Sequence, residues 1–389
     1  MAKRSEQILI GVDVGSAFIR AAAISHERNG RYREVLATSK LPSLGVDHGN
    51  VTEPEVVADI FRDVISHVER KIGGRADGIL VSLGGSYLNS YHSNGSTLIS
   101  RGDGTVSDID IENALKEAEK GVSDIKNKTI LHTIPLRFKL DGEEVHGNIL
   151  GLRGHKLEVK VLFITYPTQY FKTFKDMLSE SDIDVADIIA GPIAESVPLL
   201  TKKQKLAGIA VINIGAEATS ILVYENNVPL LVSVIQSGGN DITKDLALGM
   251  KISLEEAEEI KCGTSTQNFS KRRMEEIIEA RIEDLGEKIN KELDRIHRRE
   301  LLPGGILVLG ETSLLPKIDS MMRFVLKLPV KVASNELSII SNGTLNDVSY
   351  ARSYGLCFLA PQIEEHVVVA QYLRRITTTL KRFFVQFLP

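Results

Sequence analysis

The chain has 389 residues, 43% of them hydrophobic and 25% charged, a balance that predicts a globular body with more than one cored domain. A net charge of −4 and few aromatic residues exclude a surface built as a whole for nucleic acid, so no nucleic-acid partner is expected. Cys262 and Cys357 supply neither a disulfide framework nor a CxxC metal pair, which suits a reducing cytosol.

Lys3 and Arg4 precede an apolar run, but Asp13 interrupts it too early for a signal peptide, so export is not expected. Ile8 to Ala23, ILIGVDVGSAFIRAAA, enters on β-branched residues, passes Gly11-Val12-Asp13-Val14-Gly15-Ser16 and leaves on a second apolar run. That is the pattern of strand, tight turn, strand. Gly15 suits the positive φ of a hairpin turn, and Ser16 with its neighbours can aim N–H groups and a hydroxyl at one spot. Such a nest favours a phosphate. Asp13 would face the same spot, where a carboxylate makes sense mainly if it holds water around Mg²⁺.

Tyr32 to Leu41 reads as a further strand, followed by a polar loop from Pro42 to Asn50. Thr52 as N-cap and Pro54 in the first turn predict a helix over Val56 to Ile72, ended by Gly73-Gly74. Gly78 to Leu83 is a buried strand. From Gly84 the texture changes: a polar, aromatic stretch over Ser86 to Ser100, a short helix over Ser107 to Lys120, and strands over Ile130 to Leu140 and Leu157 to Ile164. These predict an inserted α+β module, with the apolar run Glu158 to Thr165 resuming the parent fold.

Ala210 to Val223, AVINIGAEATSILV, repeats the opening pattern. Asn213 stands where Asp13 stood, a period of 200 residues from position 13 to position 213, and Gly215 stands where Gly15 stood. Two similar halves, each opening on a hairpin, predict two α/β domains that face each other across a cleft and clamp one nucleotide. The pattern resembles the actin and Hsp70-type ATPase superfamily, with its ribonuclease H-like fold.

Within that superfamily, VSLGGSYLNSYHSNGS, LHTIPLRFKLDGEEVHGN and LGLRGHKLEVKVLFIT resemble the FtsA family of bacterial cell-division proteins, whose inserted subdomain is its own. IDVADIIAGPIAES (183–196), IQSGGNDITKDLA (235–247), AEEIK (257–261) and GGILVLGETSLLP (304–316) follow in the family's order. The resemblance implies a first domain over 1–83 and 165–203, an inserted subdomain over 84–164 and a second domain over 204–361 with 243–305 as its outer part. It also implies ATP or ADP with Mg²⁺, the metal held by Asp13 through water. Gly11, Asp13, Gly15, Ser16, Asn213, Gly215, Thr219, Gly238, Gly239, Glu258, Lys261 and Gly310 are the implied nucleotide residues. Self-association into filaments and the acidic tail of the polymer protein FtsZ are the implied partners.

The pattern is altered at several points. The second hairpin has Asn213 in place of a carboxylate, and Glu217 brings a negative charge toward the phosphate position, which is costly in a partly dry cleft unless it turns away. Phe18 replaces the basic residue often found two positions after Ser16, so a phosphate-neutralising cation is expected to be missing. Glu311-Thr312 replaces the glycine and small residue of the adenosine turn. Hydrolysis needs several groups placed together, whereas binding tolerates their loss one at a time. The expectation is a nucleotide-binding adaptor with weak or absent turnover. A kinase or chaperone-type ATPase of the same superfamily, or an adaptor like the pilus-assembly protein PilM, is the alternative.

Residues 271–300, KRRMEEIIEARIEDLGEKINKELDRIHRRE, carry an apolar stripe from Met274 to Ile296 with a charged outer face. By the resemblance this region receives the FtsZ tail, with Arg272, Arg273, Arg295, Arg298 and Arg299 as candidate contacts. After a short linker at 362–366, residues 367–389 place Tyr372, Leu373, Ile376, Leu380, Phe383, Phe384 and Phe387 on one helical face and Arg374, Arg375, Lys381 and Arg382 on the other. Four cations argue against a span, at roughly 3 kcal/mol each for a helix centre. They suit an amphipathic helix lying on anionic lipids at the inner face of the cytoplasmic membrane, at the division site.

Overall fold

The computed structural model describes residues 6–27, 33–122, 125–266, 269–341 and 343–359. The first part of the chain runs β1 (Glu6–Val14), β2 (Phe18–Glu27), β3 (Arg33–Pro42), the short pair β4 (Val46–Asp47) and β5 (Asn50–Val51), α1 (Pro54–Ile72) and β6 (Gly78–Leu83). Next come β7 (Asn89–Leu98), α2 (Asp108–Lys120), β8 (Lys128–Leu140), β9 (Glu143–Val145), β10 (Lys156–Pro167), α3 (Thr168–Glu180), β11 (Asp187–Ala190), α4 (Gly191–Leu199) and α5 (Lys202–Ala207). The second part holds β12 (Ile209–Ile214), β13 (Thr219–Glu225), β14 (Val228–Ile235), α6 (Gly239–Met250), α7 (Leu254–Cys262) and α8 (Lys271–Arg295). It ends with β15 (Ile306–Leu309), α9 (Ile318–Leu326), β16 (Val330–Val332), α10 (Ser334–Ile340) and α11 (Ala351–Leu356).

Two five-stranded sheets carry the duplication, in the orders β3-β2-β1-β6-β11 and β14-β13-β12-β15-β16. In each, the central strand pairs antiparallel with the next strand and parallel with a later one. Even the register repeats: Val14 faces Ile19 in one hairpin and Ile214 faces Thr219 in the other. Local chemistry explains the flanking helices. Pro54 starts α1 and Gly73, at φ 70°, ends it, although Thr52 spends its hydroxyl on Gly45 O rather than capping the helix. Along α8 the expected stripe is the packed face: Ile278, Ile282, Leu285, Ile289 and Leu293 are buried, each burial worth about 2 kcal/mol.

A separate sheet, β7-β10-β8-β9, packs under α2. Gly95 lets the two approach, since a Cβ there would meet Ala114 O at 1.9 Å. β10 pairs along its length with β7 and β8, so the run Glu158 to Thr165 belongs to this inserted sheet and does not resume the parent one as expected. The reason is register: its alternate side chains Leu157, Val159, Val161 and Phe163 fill the core under α2. The insert touches both halves, through Ser90 Oγ donating to Val232 O at 2.8 Å and through Ala190 N donating to His132 Nε2 at 2.9 Å.

The chain's last described helix returns to its beginning. α11 packs on β1 and α4, and Ala351, Tyr354, Leu356, Cys357 and Leu359 share one core with Leu9, Ile10 and Val12. Among the described residues no helix is long and apolar enough to cross a membrane. Residues 362–389, including every residue of the expected amphipathic helix, lie outside the described ones.

Candidate nucleotide cleft

Each hairpin turn closes in the same way, by Gly15 N donating to Phe18 O at 3.2 Å and Gly215 N to Ala218 O at 3.0 Å. Neither glycine adopts the expected positive φ. What constrains both positions is space, because a Cβ at either would stand 3.0 Å from the carbonyl that closes its turn. The two turns border one cleft, which Asp13, Gly15, Ser16, Asn213, Gly215 and Gly310 line together. Gly310, at φ 91°, presses so closely on Asn213 and Ile214 that a Cβ there would meet Ile214 O at 2.3 Å.

Other expected nucleotide residues lie elsewhere. Gly11 is inside β1 and makes room for α11, as a Cβ there would sit 2.0 Å from Ser353 O. Thr219 is buried and donates to Ser237 O at 2.7 Å. Gly238 and Gly239 pack on the second turn, with Gly239 N donating to Gly215 O at 2.9 Å. Glu258 and Lys261 pair at 2.6 Å, and Lys261 Nζ also donates to Thr243 Oγ1 at 2.8 Å and Gly239 O at 3.2 Å. These four form a group of their own beside the second turn.

The floor of the cleft is a charge network that the sequence reading missed. Ser82, the parallel partner of Asp13 across β6, donates to Asp13 Oδ1 at 2.6 Å. Arg352 of α11 lies 3.4 Å from the same oxygen and 3.0 Å from Glu195 Oε2. Asn213 Nδ2 donates to Glu195 at 2.7 Å, so the amide that replaces a carboxylate serves a buried carboxylate instead. Burial opposes the charge on Arg352, but Glu195 and Asp13 outweigh it and hold the guanidinium above its usual range.

The altered positions are resolved by the fold. Glu217 turns its carboxylate onto the backbone N–H of His48, 2.7 Å away, which spends its charge across the cleft on the first half. Two cations stand beside Phe18: Arg20 lines the cleft, and Lys40 Nζ lies 3.9 Å from the Phe18 ring centroid. Both cations reach Glu311, Arg20 at 2.7 Å. Burial alone would raise the Glu311 carboxyl, but Arg20 and Lys40 hold it below the ordinary range.

Asp13, the residue implied to hold Mg²⁺ through water, accepts from Ser82 and lies 3.4 Å from Arg352. Among the described residues no cluster of three or more His, Cys, Asp or Glu is placed to hold a metal. The two turns bring Arg20 and Arg352 to the same cleft, each paired with carboxylates.

The five candidate partner arginines do not converge. Arg273 and Arg295 stand at opposite ends of α8, roughly 33 Å apart at 1.5 Å per residue. Arg272 and Arg273 pair with Glu276, Arg295 with Glu292 and Arg299 with Asp294. Arg298 makes a two-pronged pair with Glu225, at 2.8 and 2.7 Å, and so ties the end of α8 to β13.

The duplicated sheets, the facing turns and the cleft between them define a two-halved protein of the actin-like ATPase fold. Solved structures share it: the "PilM-PilN type IV pilus biogenesis complex" at TM-score 0.66 and 18% identity, covering 91% of this chain and 98% of that one. MreB 5 of Spiroplasma citri bound to AMPPNP matches at TM-score 0.53 and 12% identity, covering 94% and 99%. The model for "Cell division protein FtsA" matches residues 210–355, and that for "SHS2 domain inserted in FTSA" matches residues 85–165. "Cell division protein FtsA" of Bacillus subtilis (strain 168) is 27% identical over 352 residues, 85% of this chain and 79% of that relative. The chain belongs to the FtsA family.

Proposed function

We propose that this chain is an actin-like cell-division adaptor that holds a nucleotide between its two hairpin turns, polymerises on the inner face of the cytoplasmic membrane and tethers FtsZ there. The observation that carries the reading is the inserted module, since the actin-like fold is shared by proteins of many functions whereas this insert matches one family's own domain. Nucleotide occupancy is supported by the lined cleft and by the AMPPNP-bound neighbour of the same fold. Weak turnover is supported by Asn213, which stands where a carboxylate would and donates to Glu195, and by the carboxylates of the second half that line the cleft, since Glu217 is held by His48 N and Glu311 by Arg20 and Lys40.

A PilM-like adaptor is the second reading, favoured by the TM-score of 0.66, yet 18% identity speaks for the fold alone. The membrane segment separates the two. Sedimentation with anionic liposomes, with and without ATP and an FtsZ tail peptide, followed by electron microscopy of the pellet, tests the proposal. Lipid-bound filaments that recruit the peptide are the expected result, and a protein that stays in the supernatant in every condition overturns it. Phosphate release is expected near background, and steady release abolished by Asp13→Ala would show a working ATPase instead.

A further inference from the structure

α4 and α11 run side by side away from the cleft. Arg352, at the start of α11, pairs with Glu195 on the cleft floor, whereas a Cβ on Gly355 would stand 3.2 Å from Pro198 Cδ near the end of α4. Cys357 Sγ comes within 3.6 Å of Leu9 O, toward the other end of β1 from Asp13. Leu359, the last described residue of this run, therefore leaves on the face opposite the cleft, where α4 gives way to α5.

α5 carries Lys202, Lys203 and Lys205, and no acidic residue falls between Glu195 and Glu217. The short helix is held in place: Thr201 caps it by accepting from Gln204 N at 3.3 Å, and Asn226 N donates to Leu206 O at 3.2 Å. Lys205 turns inward, its Nζ 4.8 Å from the centroid of the Tyr224 ring. Lys202 and Lys203 stay exposed, and among the described residues neither pairs with a carboxylate, unlike the five arginines of α8 and the turn after it. Leu206, three and four positions on and so on the same helical face, is 55% exposed.

Two free cations beside an exposed leucine fit a surface that is anionic at its rim and apolar beneath, which is the chemistry of a lipid headgroup layer. The eight Cα steps from Leu359 to Val367, the first residue of the proposed anchor, reach at most roughly 30 Å. We propose that the α5 face formed by Lys202, Lys203 and Leu206 is a second contact with anionic lipid, which turns the face opposite the cleft toward the bilayer. The proposal rests on the membrane reading above. With two lysines this face orients the body and does not anchor it alone.

Full-length protein with vesicles of equal phosphatidylserine and phosphatidylcholine tests it. An environment-sensitive fluorophore at Leu206→Cys, in a Cys262→Ser background, is expected to shift to the blue on the vesicles. The same fluorophore on native Cys262, exposed next to Glu258 on the cleft side, should not shift. Lys202→Glu with Lys203→Glu should weaken sedimentation with the vesicles at least ~10-fold, by a margin that narrows as salt is added, with circular dichroism unchanged. Lys116→Glu with Lys120→Glu on α2 makes the same change of net charge and should leave binding within about threefold of wild type. Equal losses in the two double variants, or no loss in the first, overturn the proposal and leave the anchor standing. So does a Leu206 probe that stays in water on bound protein, or one that shifts without lipid as protein concentration rises, which marks a contact between copies. Wild-type protein that does not sediment with the vesicles overturns the membrane reading and this contact with it.

Discussion

The Arg20 guanidinium donates to the Glu311 carboxylate across 2.7 Å, joining the second strand of one half to the turn after β15 in the other. Lys40 shares the same carboxylate, and the Phe18 ring lies under both cations. Glu217 and His48 make a second link between the halves. Opening the cleft breaks these contacts, so they set how readily a ligand enters or leaves.

Glu311→Gln is expected to lower stability by about 2 kcal/mol, because the Arg20 side chain, 8% exposed, loses its charged acceptor. Urea denaturation measures the loss. Hydrogen exchange should quicken at residues 311–314 and 40–49 while the inserted module stays protected. Uniform quickening across all three would mean that the contact supports the whole fold rather than the cleft mouth.

His132 predicts a pH dependence. Burial pushes its imidazole down to about 3, and its Nε2 accepts from Ala190 N. An unfolded histidine titrates near 6.5, so as pH falls below that value the unfolded chain takes up a proton that the folded one refuses. The stability contribution is complete above the unfolded pKa and is lost progressively toward the folded one. Between pH 7 and pH 5 this group alone should cost about 2 kcal/mol. His132→Gln should flatten the slope in that window, read from urea midpoints at both pH values.

Arg298 and Arg272 predict different outcomes under charge reversal. Arg298→Glu breaks the two-pronged pair with Glu225 and should destabilise the protein by about 2–3 kcal/mol. Arg272→Glu with Arg273→Glu alters an exposed helix start, at a stability cost within about 1 kcal/mol. If an acidic FtsZ tail docks at this end of α8, the second variant weakens peptide binding in a salt-dependent manner while thermal unfolding shifts by no more than that small cost. Unaltered affinity, measured by fluorescence anisotropy, would move the docking site off α8.

Deleting residues 367–389 is expected to release the protein from anionic liposomes, and Phe383→Glu with Phe384→Glu to do the same with the fold intact. Sedimentation and circular dichroism check the two statements. The deletion spares Leu359 and the α11 side chains that complete the first core.

Much of the architecture is legible in the residues. Alternation of apolar residues and the 200-residue spacing of Asp13 and Asn213 lead to two like halves, because strand pairing and burial are local and periodic. The stripe along α8 is legible for the same reason. β10 misleads, since an apolar strand does not say which sheet it joins. The cleft is legible only in part. Arg20 shares a strand face with Phe18 two residues away, so that cation of the cleft carried a signal. Arg352 carried none: it meets Asp13 across 339 positions, through packing that periodicity does not report.

The return of α11 to β1 governs the order in which the molecule can be made. Leu9, Ile10 and Val12 leave the ribosome more than 300 residues ahead of Tyr354, Leu356 and Leu359, which share their core. Until then β1 lacks a wall, and the Gly11 backbone that Ser353 will approach stays open to water or to another chain. Translation alone thus cannot deliver a finished first half. While those 300 or more residues are made, an apolar strand stays uncovered, a surface of the kind that is prone to association during synthesis.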